Sequence, residues 1–225
     1  MDEQLSWVTS LFAEHDVTHW VESGTLLTLV RSGELTKYDD DIDLAVWASD
    51  VDVIEALRPE IESKGYHVQS RSYRGHTYKY QFLPRTDRGP RSRSNRRIVD
   101  VMVFRRDGEC AWTAQSRVRE EFGVPGLTTV VDRLYPFIQW YARSTGGHVE
   151  MTSFPKSLLV EVLTLRLPLS HLEELRYDEE LGVHTPTELE DYLAIRYGDW
   201  ETPVAEWSLT DDGAVHERGP SDLLA

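Results

Sequence analysis

The feature that most constrains the fold is an acidic run that leads directly into an apolar stretch. Residues 39–47 read Asp-Asp-Asp-Ile-Asp-Leu-Ala-Val-Trp, so four carboxylates occupy five positions. The apolar half predicts a strand, in which side chains alternate between two faces. Asp41 and Asp43 therefore share one face, roughly 7 Å apart, while Ile42 and Leu44 point into the core. This spacing predicts a site for hard divalent cations, because a cation cancels the repulsion between neighbouring carboxylates.

A third acidic side chain is expected from a neighbouring strand. Residues 98–104 form a second apolar run with one aspartate, Asp100, which would be costly inside a strand unless it faced a metal or a cleft. Asp100 is therefore the natural partner of Asp41 and Asp43. A solvated loop is one alternative for the acidic run, and Asp100 argues against it. An EF-hand calcium loop is excluded, because Leu44 stands where that loop requires glycine.

A helix start lies upstream of the acidic run. Ser23, Gly24 and Thr25 open a short helix predicted over residues 24–30. Glycine permits close backbone approach, and N–H groups at a helix start attract phosphate. Together with the three carboxylates, this arrangement predicts a nucleotide-phosphate site with a metal, and phosphoryl transfer as the reaction class.

The composition narrows the classes of function. A formal charge of −15 opposes binding to nucleic acid, whose phosphates would be repelled. No apolar run is long enough to predict a transmembrane segment, and the acidic N-terminus is unlike a signal peptide. A single cysteine, Cys110, provides neither a disulfide framework nor a cysteine zinc site. We expect a cytoplasmic location, either free or peripheral at the inner face of the membrane.

The acidic surface has two explanations that the sequence leaves open. The chain has four lysines against twenty arginines. This balance fits a protein that works in high salt, where repulsion between carboxylates is screened. It fits equally well an ordinary acidic protein from a GC-rich genome.

The periodicity of the chain predicts a mixed α+β fold. Helices are predicted over residues 3–15, over 51–64 with Ser49 as the cap and a kink or break at Pro59, and from a capping box at 185–188 to about Tyr197. Strands are predicted over residues 17–21, 66–73, 76–83 and 98–104, whereas 130–141 and 157–165 fit either structure. We expect one domain over residues 1–207 and a loose acidic tail over 208–225.

Several motifs together resemble those of the LicD/fukutin family, which belongs to the nucleotidyltransferase-fold superfamily. They are Gly24-Thr25-Leu26-Leu27 with Arg31, Asp39-Asp40-Asp41-Ile42-Asp43, Ile98-Val99-Asp100, and Pro186…Tyr192-Leu193…Tyr197-Gly198-Asp199-Trp200…Pro203. The sequence departs from the family pattern at Thr28, where glycine is usual, and at Lys37-Tyr38, where proline and tryptophan are usual.

The resemblance implies a nucleotidyltransferase-like mixed β-sheet flanked by helices, with a smaller C-terminal helical lobe. It also implies transfer of a phospho-alcohol from a CDP-activated donor, such as CDP-choline or CDP-ribitol, to a glycan or glycolipid hydroxyl with release of CMP. Asp41 and Asp43 would bind Mg²⁺ or Mn²⁺, and Asp100 would be a third ligand or the base for the attacking hydroxyl. The residues expected near the donor phosphates are Ser23, Gly24, Thr25 and Arg31.

Other polar residues are weaker candidates with structural alternatives. Those considered for substrate contact are Lys37, Asp40, His76 and Tyr78. Lys37 fits equally well a role in neutralising the acidic run, and Arg31 fits equally well a bridge to that run. His76 fits a structural role. An arginine-rich loop either draws an anionic substrate toward the site or is simply exposed; its members are Arg85, Arg88, Arg91, Arg93, Arg96 and Arg97. The segment Tyr197–Trp200 is expected to pack rather than to take part in chemistry.

Three functions fit these residues. The first is the phosphotransferase that the resemblance implies. The second is a nucleotidyltransferase that moves a nucleoside monophosphate to a small molecule through the same three aspartates. These two reactions differ in which phosphorus atom of the donor is attacked. The third is a family member that binds nucleotide or glycan without catalysis.

Overall fold

The computed structural model describes residues 2–36, 39–85, 96–118, 147–152, 160–204 and 208–216. Within these ranges the helices are α1 (Glu3–Glu14), α2 (Ser23–Ser32), α3 (Val51–Ser63), α4 (Ser170–Glu173) and α5 (Leu189–Tyr197). The strands are β1 (His19–Val21), β2 (Asp41–Trp47), β3 (Tyr66–Tyr73), β4 (His76–Pro84), β5 (Ile98–Asp107), β6 (Cys110–Val118), β7 (His148–Glu150), β8 (Val160–Pro168), β9 (Arg176–Asp178), β10 (Val183–Thr185) and β11 (Val215–His216). This mixture of helices and strands confirms the predicted fold class.

One large mixed sheet organises the molecule. Its order is β11-β8-β6-β5-β4-β3-β7, and β2 also pairs with β5 while β1 pairs with β2. The β2–β5 pair is parallel, and the β4–β5 pair is antiparallel. β5 thus lies between β2 and β4 along its first half, which places side chains from three strands around one point.

The helices cover the sheet through regularly spaced apolar side chains. In α1, Leu5, Val8 and Phe12 are fully buried, and Asp2 caps the helix by accepting hydrogen bonds from two backbone N–H groups. The core beneath them holds Trp20, whose ring contacts the rings of Trp47 and Phe104. These apolar contacts fix β1 and β2 at the centre of the fold. No helix in the described ranges is both long and apolar enough to cross a membrane.

The predicted helix boundaries are wrong in detail. Ser49 lies in a short 3-10 turn and does not cap α3. Pro59 lies inside α3 and does not split it. α5 begins at Leu189 rather than at Pro186, because Glu188 adopts a left-handed conformation with φ of 51° and its side chain makes no capping bond. The segment 157–165, which the sequence left open, contributes to strand β8 from Val160 onward.

The C-terminal part joins the main sheet. In the described ranges the expected helical lobe contains the helices α4 and α5, the separate two-stranded sheet of β9 and β10, and the strands β8 and β11 of the large sheet. Residues 215–216 pair with β8, and Asp212 is buried. The expectation of a loose tail is therefore wrong for residues 208–216, because they supply a strand and a buried charge. The domain boundary at residue 207 stays a prediction.

Candidate functional site

Three carboxylates meet where β2 and β5 run side by side. The parallel register places Asp43 directly beside Asp100, and Asp41 lies two residues earlier on the same face of β2. Each of the three aspartates offers one oxygen atom that lies within 4.8 Å of those of the other two. The predicted convergence of these residues is confirmed. Because carboxylate oxygens are the donors that hard divalent cations prefer, the three aspartates fit a metal ion.

The electrostatics of the three aspartates favour a bound positive charge. The pKa of Asp43 is raised to about 8, mainly because its carboxyl group is buried and secondly because the charges of Asp41 and Asp100 lie nearby. Burial and the charge of Asp100 also raise the pKa of Asp41. Both shifts reflect anions that are held close together, although Asp41 itself is exposed to solvent. A divalent cation would remove this repulsion, so the carboxylates would ionise as it binds.

A lysine from the neighbouring strand already lies at this point. Lys79 Nζ is 2.5 Å from Asp100 Oδ2, and Gln81 Nε2 donates a hydrogen bond of 2.8 Å to Asp100 Oδ1. Both side chains come from β4, where Gln81 lies opposite Asp100 in the antiparallel register. Asp100 is thus held in place through both of its oxygens.

The start of α2 forms the second wall of the site. Thr25 is buried, and its hydroxyl accepts a hydrogen bond of 2.8 Å from the backbone N–H of Asp43. A Cβ atom at Gly24 would lie 3.6 Å from Asp43 Oδ2, so glycine keeps the approach to this carboxylate open. Ser23 takes a left-handed φ of 49°. Thr25 therefore fixes the backbone of β2 at Asp43, and Gly24 lies beside the carboxylate of that residue.

The other two members of the acidic run have different surroundings. Asp39 accepts a hydrogen bond from the hydroxyl of Thr28 at 3.1 Å and from the backbone and side chain of Thr36. Thr28 stands where the family usually has glycine, so this departure supplies a donor to Asp39. The backbone oxygen of Asp40 accepts from Ile98 N at the start of β5. Asp39 and Asp40 thus secure the loop before β2, and only Asp41 and Asp43 of the run belong to the three-carboxylate group.

A buried cluster of charges, which the sequence analysis missed, joins α2 to the C-terminal segment. Arg196 donates hydrogen bonds to Glu22 and, at 2.6 Å, to Asp212. Tyr192 and Trp20 also donate to Glu22, at 2.6 and 3.0 Å. Glu22, Arg196 and Asp212 are each at most 3% exposed. Since Glu22 immediately precedes α2, this cluster anchors the helix start that faces the carboxylates.

A cleft of about 500 Å³ opens over the three aspartates. Its floor includes Asp41, Asp43 and Asp100, and its far wall comes from residues 196–204 and from Leu209. Arg31 donates to the backbone oxygen of Trp200, and in this way it holds the far wall in place. The residues that line the cleft are Ser23, Gly24, Leu27, Arg31, Asp41, Asp43, Lys79, Asp100, Gln115, Arg196, Tyr197, Asp199, Thr202, Val204 and Leu209.

The remaining candidates lie elsewhere or outside the described ranges. His76 is exposed at the hairpin end of β4, five residues or roughly 17 Å along the strand from Gln81. Tyr78 is buried in a separate apolar cluster with Val149 and Met151. Lys37, Arg88, Arg91 and Arg93 lie outside the described residues. Of the other loop arginines, Arg85 pairs with Glu62, Arg96 donates to the Lys64 carbonyl oxygen, and Arg97 pairs with Asp2.

Of the site residues that sequence reasoning missed, one pair has a recognisable signal in the sequence and another pair has none. Lys79 and Gln81 alternate with the aromatic residues Tyr78, Tyr80 and Phe82, and strand alternation places the two polar side chains on one face. Such a pattern, beside a strand with a lone aspartate, indicates a shared polar site. Glu22 and Arg196 are separated by 174 residues, and no local pattern links them.

The family of the chain follows from the segment that carries this site. A family model described as LicD/FKTN/FKRP, nucleotidyltransferase domain, matches residues 16–129, which is half of the chain. The protein is a member of the LicD family. The matched segment includes α2, all three aspartates and Lys79, and it ends before α5. The far wall of the cleft is therefore contributed by a part of the chain beyond the family match.

Three curated relatives share shorter segments with this LicD-family protein. The human protein named Ribitol 5-phosphate transferase FKRP is 27% identical over 107 residues, which is 45% of this chain and 20% of that protein. Uncharacterized protein RP689 of Rickettsia prowazekii is 34% identical over 58 residues, 26% of this chain and 22% of that protein. Uncharacterized protein RT0683 of Rickettsia typhi is 30% identical over 59 residues, 26% and 19% respectively. The chain thus spans about a fifth of the length of the curated relatives it matches.

One solved structure shares a distant likeness. It is the lincosamide antibiotic adenylyltransferase LnuA bound to lincomycin, with a TM-score of 0.33 and 16% sequence identity over 54% of this chain and 65% of that chain. A likeness this distant does not bear on the substrate of the LicD-family protein. The family match gives its domain type, and the cleft gives its candidate site.

Proposed function

We propose that this protein is a metal-dependent phosphotransferase. It moves a phospho-alcohol, of the phosphocholine or ribitol phosphate type, from a CDP-activated donor to a hydroxyl of a glycan or glycolipid and releases CMP. The observation that carries the proposal is the convergence of Asp41, Asp43 and Asp100 within 4.8 Å at the floor of a cleft. Membership of the LicD family and similarity to the protein named Ribitol 5-phosphate transferase FKRP support it.

The three aspartates have the donor chemistry for Mg²⁺ or Mn²⁺. Asp41 and Asp43 would hold the ion from β2, and Asp100 would complete the protein ligands from β5. When bound, the ion would neutralise negative charge on the donor phosphates. Asp100 is the alternative base for the acceptor hydroxyl, but its two oxygens are already engaged by Lys79 and Gln81. Each of these oxygens keeps one further acceptor position, so we assign Asp100 the role of ligand.

The start of α2 is the proposed place for the donor diphosphate. Backbone N–H groups at a helix start attract phosphate oxygens, and Gly24 leaves room beside Asp43. Arg196 lines the same cleft, but its buried guanidinium is paired with Glu22 and Asp212 and anchors the helix start rather than binding the donor. Arg31, in the last turn of α2, also lines the cleft. The N–H groups at the helix start and the guanidinium of Arg31 would orient the donor so that its phosphorus atom faces the aspartates.

The chemical step is a displacement at the phosphorus that carries the alcohol. The acceptor oxygen forms a bond to this phosphorus, the bridging oxygen leaves with CMP, and the proton of the acceptor hydroxyl passes to a carboxylate or to solvent. The proposed acceptor side of the cleft is the far wall, where Asp199 offers a carboxylate and Val204 an exposed apolar surface. Acceptors of this kind favour a cytoplasmic protein, or one at the inner membrane face when the acceptor is a glycolipid.

Product analysis tests the proposal directly. Purified protein is incubated with CDP-choline or CDP-ribitol labelled in the alcohol, with a mixed glycan acceptor and with Mg²⁺ or Mn²⁺. Release of CMP with transfer of label to the acceptor is expected. Transfer of the nucleotide to the acceptor would instead identify a nucleotidyltransferase and overturn the proposed reaction.

Matched variants separate catalysis from simple binding. D41N and D43N each remove one ligand charge with little change in shape, and CMP release should fall by at least about 100-fold in each. D52N removes the same charge at an exposed position in the first turn of α3 and should retain activity. Equal activity in all four proteins would favour a non-catalytic role for the three aspartates.

A further inference from the structure

The carboxylate of Asp100 is already in contact with two side chains of β4. Its Oδ2 contacts Lys79 Nζ at 2.5 Å, and its Oδ1 accepts from Gln81 Nε2 at 2.8 Å. Each carboxylate oxygen has about two acceptor positions. One free position on this carboxylate is enough to complete a site with Asp41 and Asp43. Each oxygen keeps one further position, but a second ion bound through Oδ2 would lie against the Lys79 ammonium that contacts the same oxygen.

The position of Lys79 is fixed by the sheet. Gln81 lies opposite Asp100 in the β4–β5 pair, and Lys79 lies diagonally from it on the same face of β4, a distance that a long side chain spans. The side chain of Lys79 is 14% exposed, and that of Asp100 is 9% exposed. A largely desolvated ion pair of this kind loses much more than a surface pair when one partner leaves. Lys79 is therefore a resident charge of the site.

The charge of the site also limits the number of ions. When ionised, the three aspartates carry three negative charges, and Lys79 contributes one positive charge. One divalent cation therefore balances the two negative charges that are left. In enzymes that use two ions, the ions lie about 3.5–4 Å apart. A second ion at that distance would approach the ammonium of Lys79, and two positive charges so close in a partly desolvated site repel strongly.

We propose that Lys79 takes the place of a second metal ion, so that this site binds one divalent cation. The ammonium group supplies next to Asp100 the positive charge that another ion would otherwise supply. This inference rests on the proposed function, because it assumes that the three aspartates bind a metal. It goes further by assigning the number of ions and the residue that sets it.

Counting bound Mn²⁺ tests the inference without any turnover. Wild-type protein and variants are dialysed against MnCl₂ alone, the bound metal is counted by mass spectrometry, and the electron paramagnetic resonance spectrum is recorded. The wild type should bind one ion, and K79M, which keeps the length of the stem, should bind two with a spin-coupled spectrum. K79R keeps the charge and should bind one. K64M removes a charge from an exposed lysine at the end of α3 and should also bind one.

The outcomes separate this inference from the proposed function. Two ions in the wild type, or one in K79M that still unfolds cooperatively, overturns the role of Lys79. If K79M does not fold, K79Q replaces it, and two ions are again expected. Absence of Mn²⁺ from the wild type overturns both the inference and the metal dependence. One ion in the wild type and two in K79M, with no release of CMP from any CDP-alcohol, sustains the inference and refutes only the proposed reaction.

Discussion

Binding of a divalent cation to the three aspartates should release a proton below pH 8. Burial, reinforced by the charges of Asp41 and Asp100, raises the pKa of Asp43 to about 8 in the metal-free protein. A metal ion binds the ionised carboxylate, so at lower pH the proton must leave as the ion enters. Because the pKa of Asp43 is raised, the affinity of the protein for the metal ion should rise with pH up to about 8 and level off above it.

The size of the effect follows from the fraction of Asp43 that is ionised before the metal binds. With a pKa of about 8, this fraction is about one half at pH 8 and about one hundredth at pH 6. We therefore expect Mn²⁺ to bind about 50-fold more weakly at pH 6 than at pH 8. At pH 7 each bound ion should release about 0.9 proton.

Titration calorimetry measures both quantities. Mn²⁺ is titrated into the protein at pH 6, 7 and 8 in pairs of buffers that differ in ionisation enthalpy, and the difference in heat gives the number of protons released. D43N should bind Mn²⁺ more weakly and with little dependence on pH, because the amide has no proton to release. D52N, an exposed aspartate with no contact to the site, should behave like the wild type.

One result would refute the reasoning from burial and neighbouring charge. If the wild type binds Mn²⁺ equally well at pH 6 and pH 8, with heats that do not depend on the buffer, Asp43 is ionised before the ion arrives. The raised pKa would then be wrong for the protein in solution. Water or a monovalent cation between the three carboxylates would account for such an outcome.

Three further predictions concern stability. A chain that ends at residue 207 loses the buried pair between Asp212 and Arg196, and urea unfolding should show a loss of about 3–5 kcal/mol; an unchanged midpoint would mean that residues 208–216 are dispensable. Thr25→Val removes the hydroxyl that accepts a hydrogen bond from a backbone N–H of β2. It should lower the free energy of unfolding by about 1–3 kcal/mol and weaken Mn²⁺ binding. A variant with unchanged stability and unchanged Mn²⁺ binding would contradict the role of Thr25. Burial alone would raise the pKa of Glu150, but the hydrogen bonds it accepts lower it from 4.5 to about 2. The ionised Glu150 therefore stabilises the fold fully above pH 4.5, and this stabilisation is lost as the pH falls toward 2. E150Q should reduce the dependence of the unfolding free energy on acid pH by about 1 kcal/mol after solvent screening. An unaltered midpoint of acid unfolding in E150Q would contradict this prediction.

The location of the cleft has a consequence for how this family member recognises substrates. The floor, with its three aspartates, lies within the matched segment, whereas Tyr197, Asp199 and Val204 of the far wall lie beyond it. The family match therefore covers the residues proposed for chemistry. The residues proposed to face the acceptor come from a segment of the chain that the match does not reach. Substitutions in the far wall should change acceptor preference more than the rate of CMP release.

The sequence by itself determined the parts of the protein that depend on local periodicity. Alternation along a strand placed Asp41 and Asp43 on one face, and the lone Asp100 in an apolar run marked the neighbouring strand. Helix α1, the β3–β4 hairpin and the beginning of α2 also lie close to the predicted ranges. These features could be predicted because the two faces of a strand or a helix are set by backbone geometry alone.

Only the tertiary structure decided which distant groups meet. Lys79 reaches Asp100 because antiparallel pairing sets the register of β4 against β5, and no spacing in the sequence specifies that register. Arg196 joins Glu22 and Asp212 because α5 and the following segment fold back over the start of α2, which places residues of the expected tail in the interior. Local patterns fix where a side chain points on its own element, whereas ion pairs between elements depend on the packing of the whole chain.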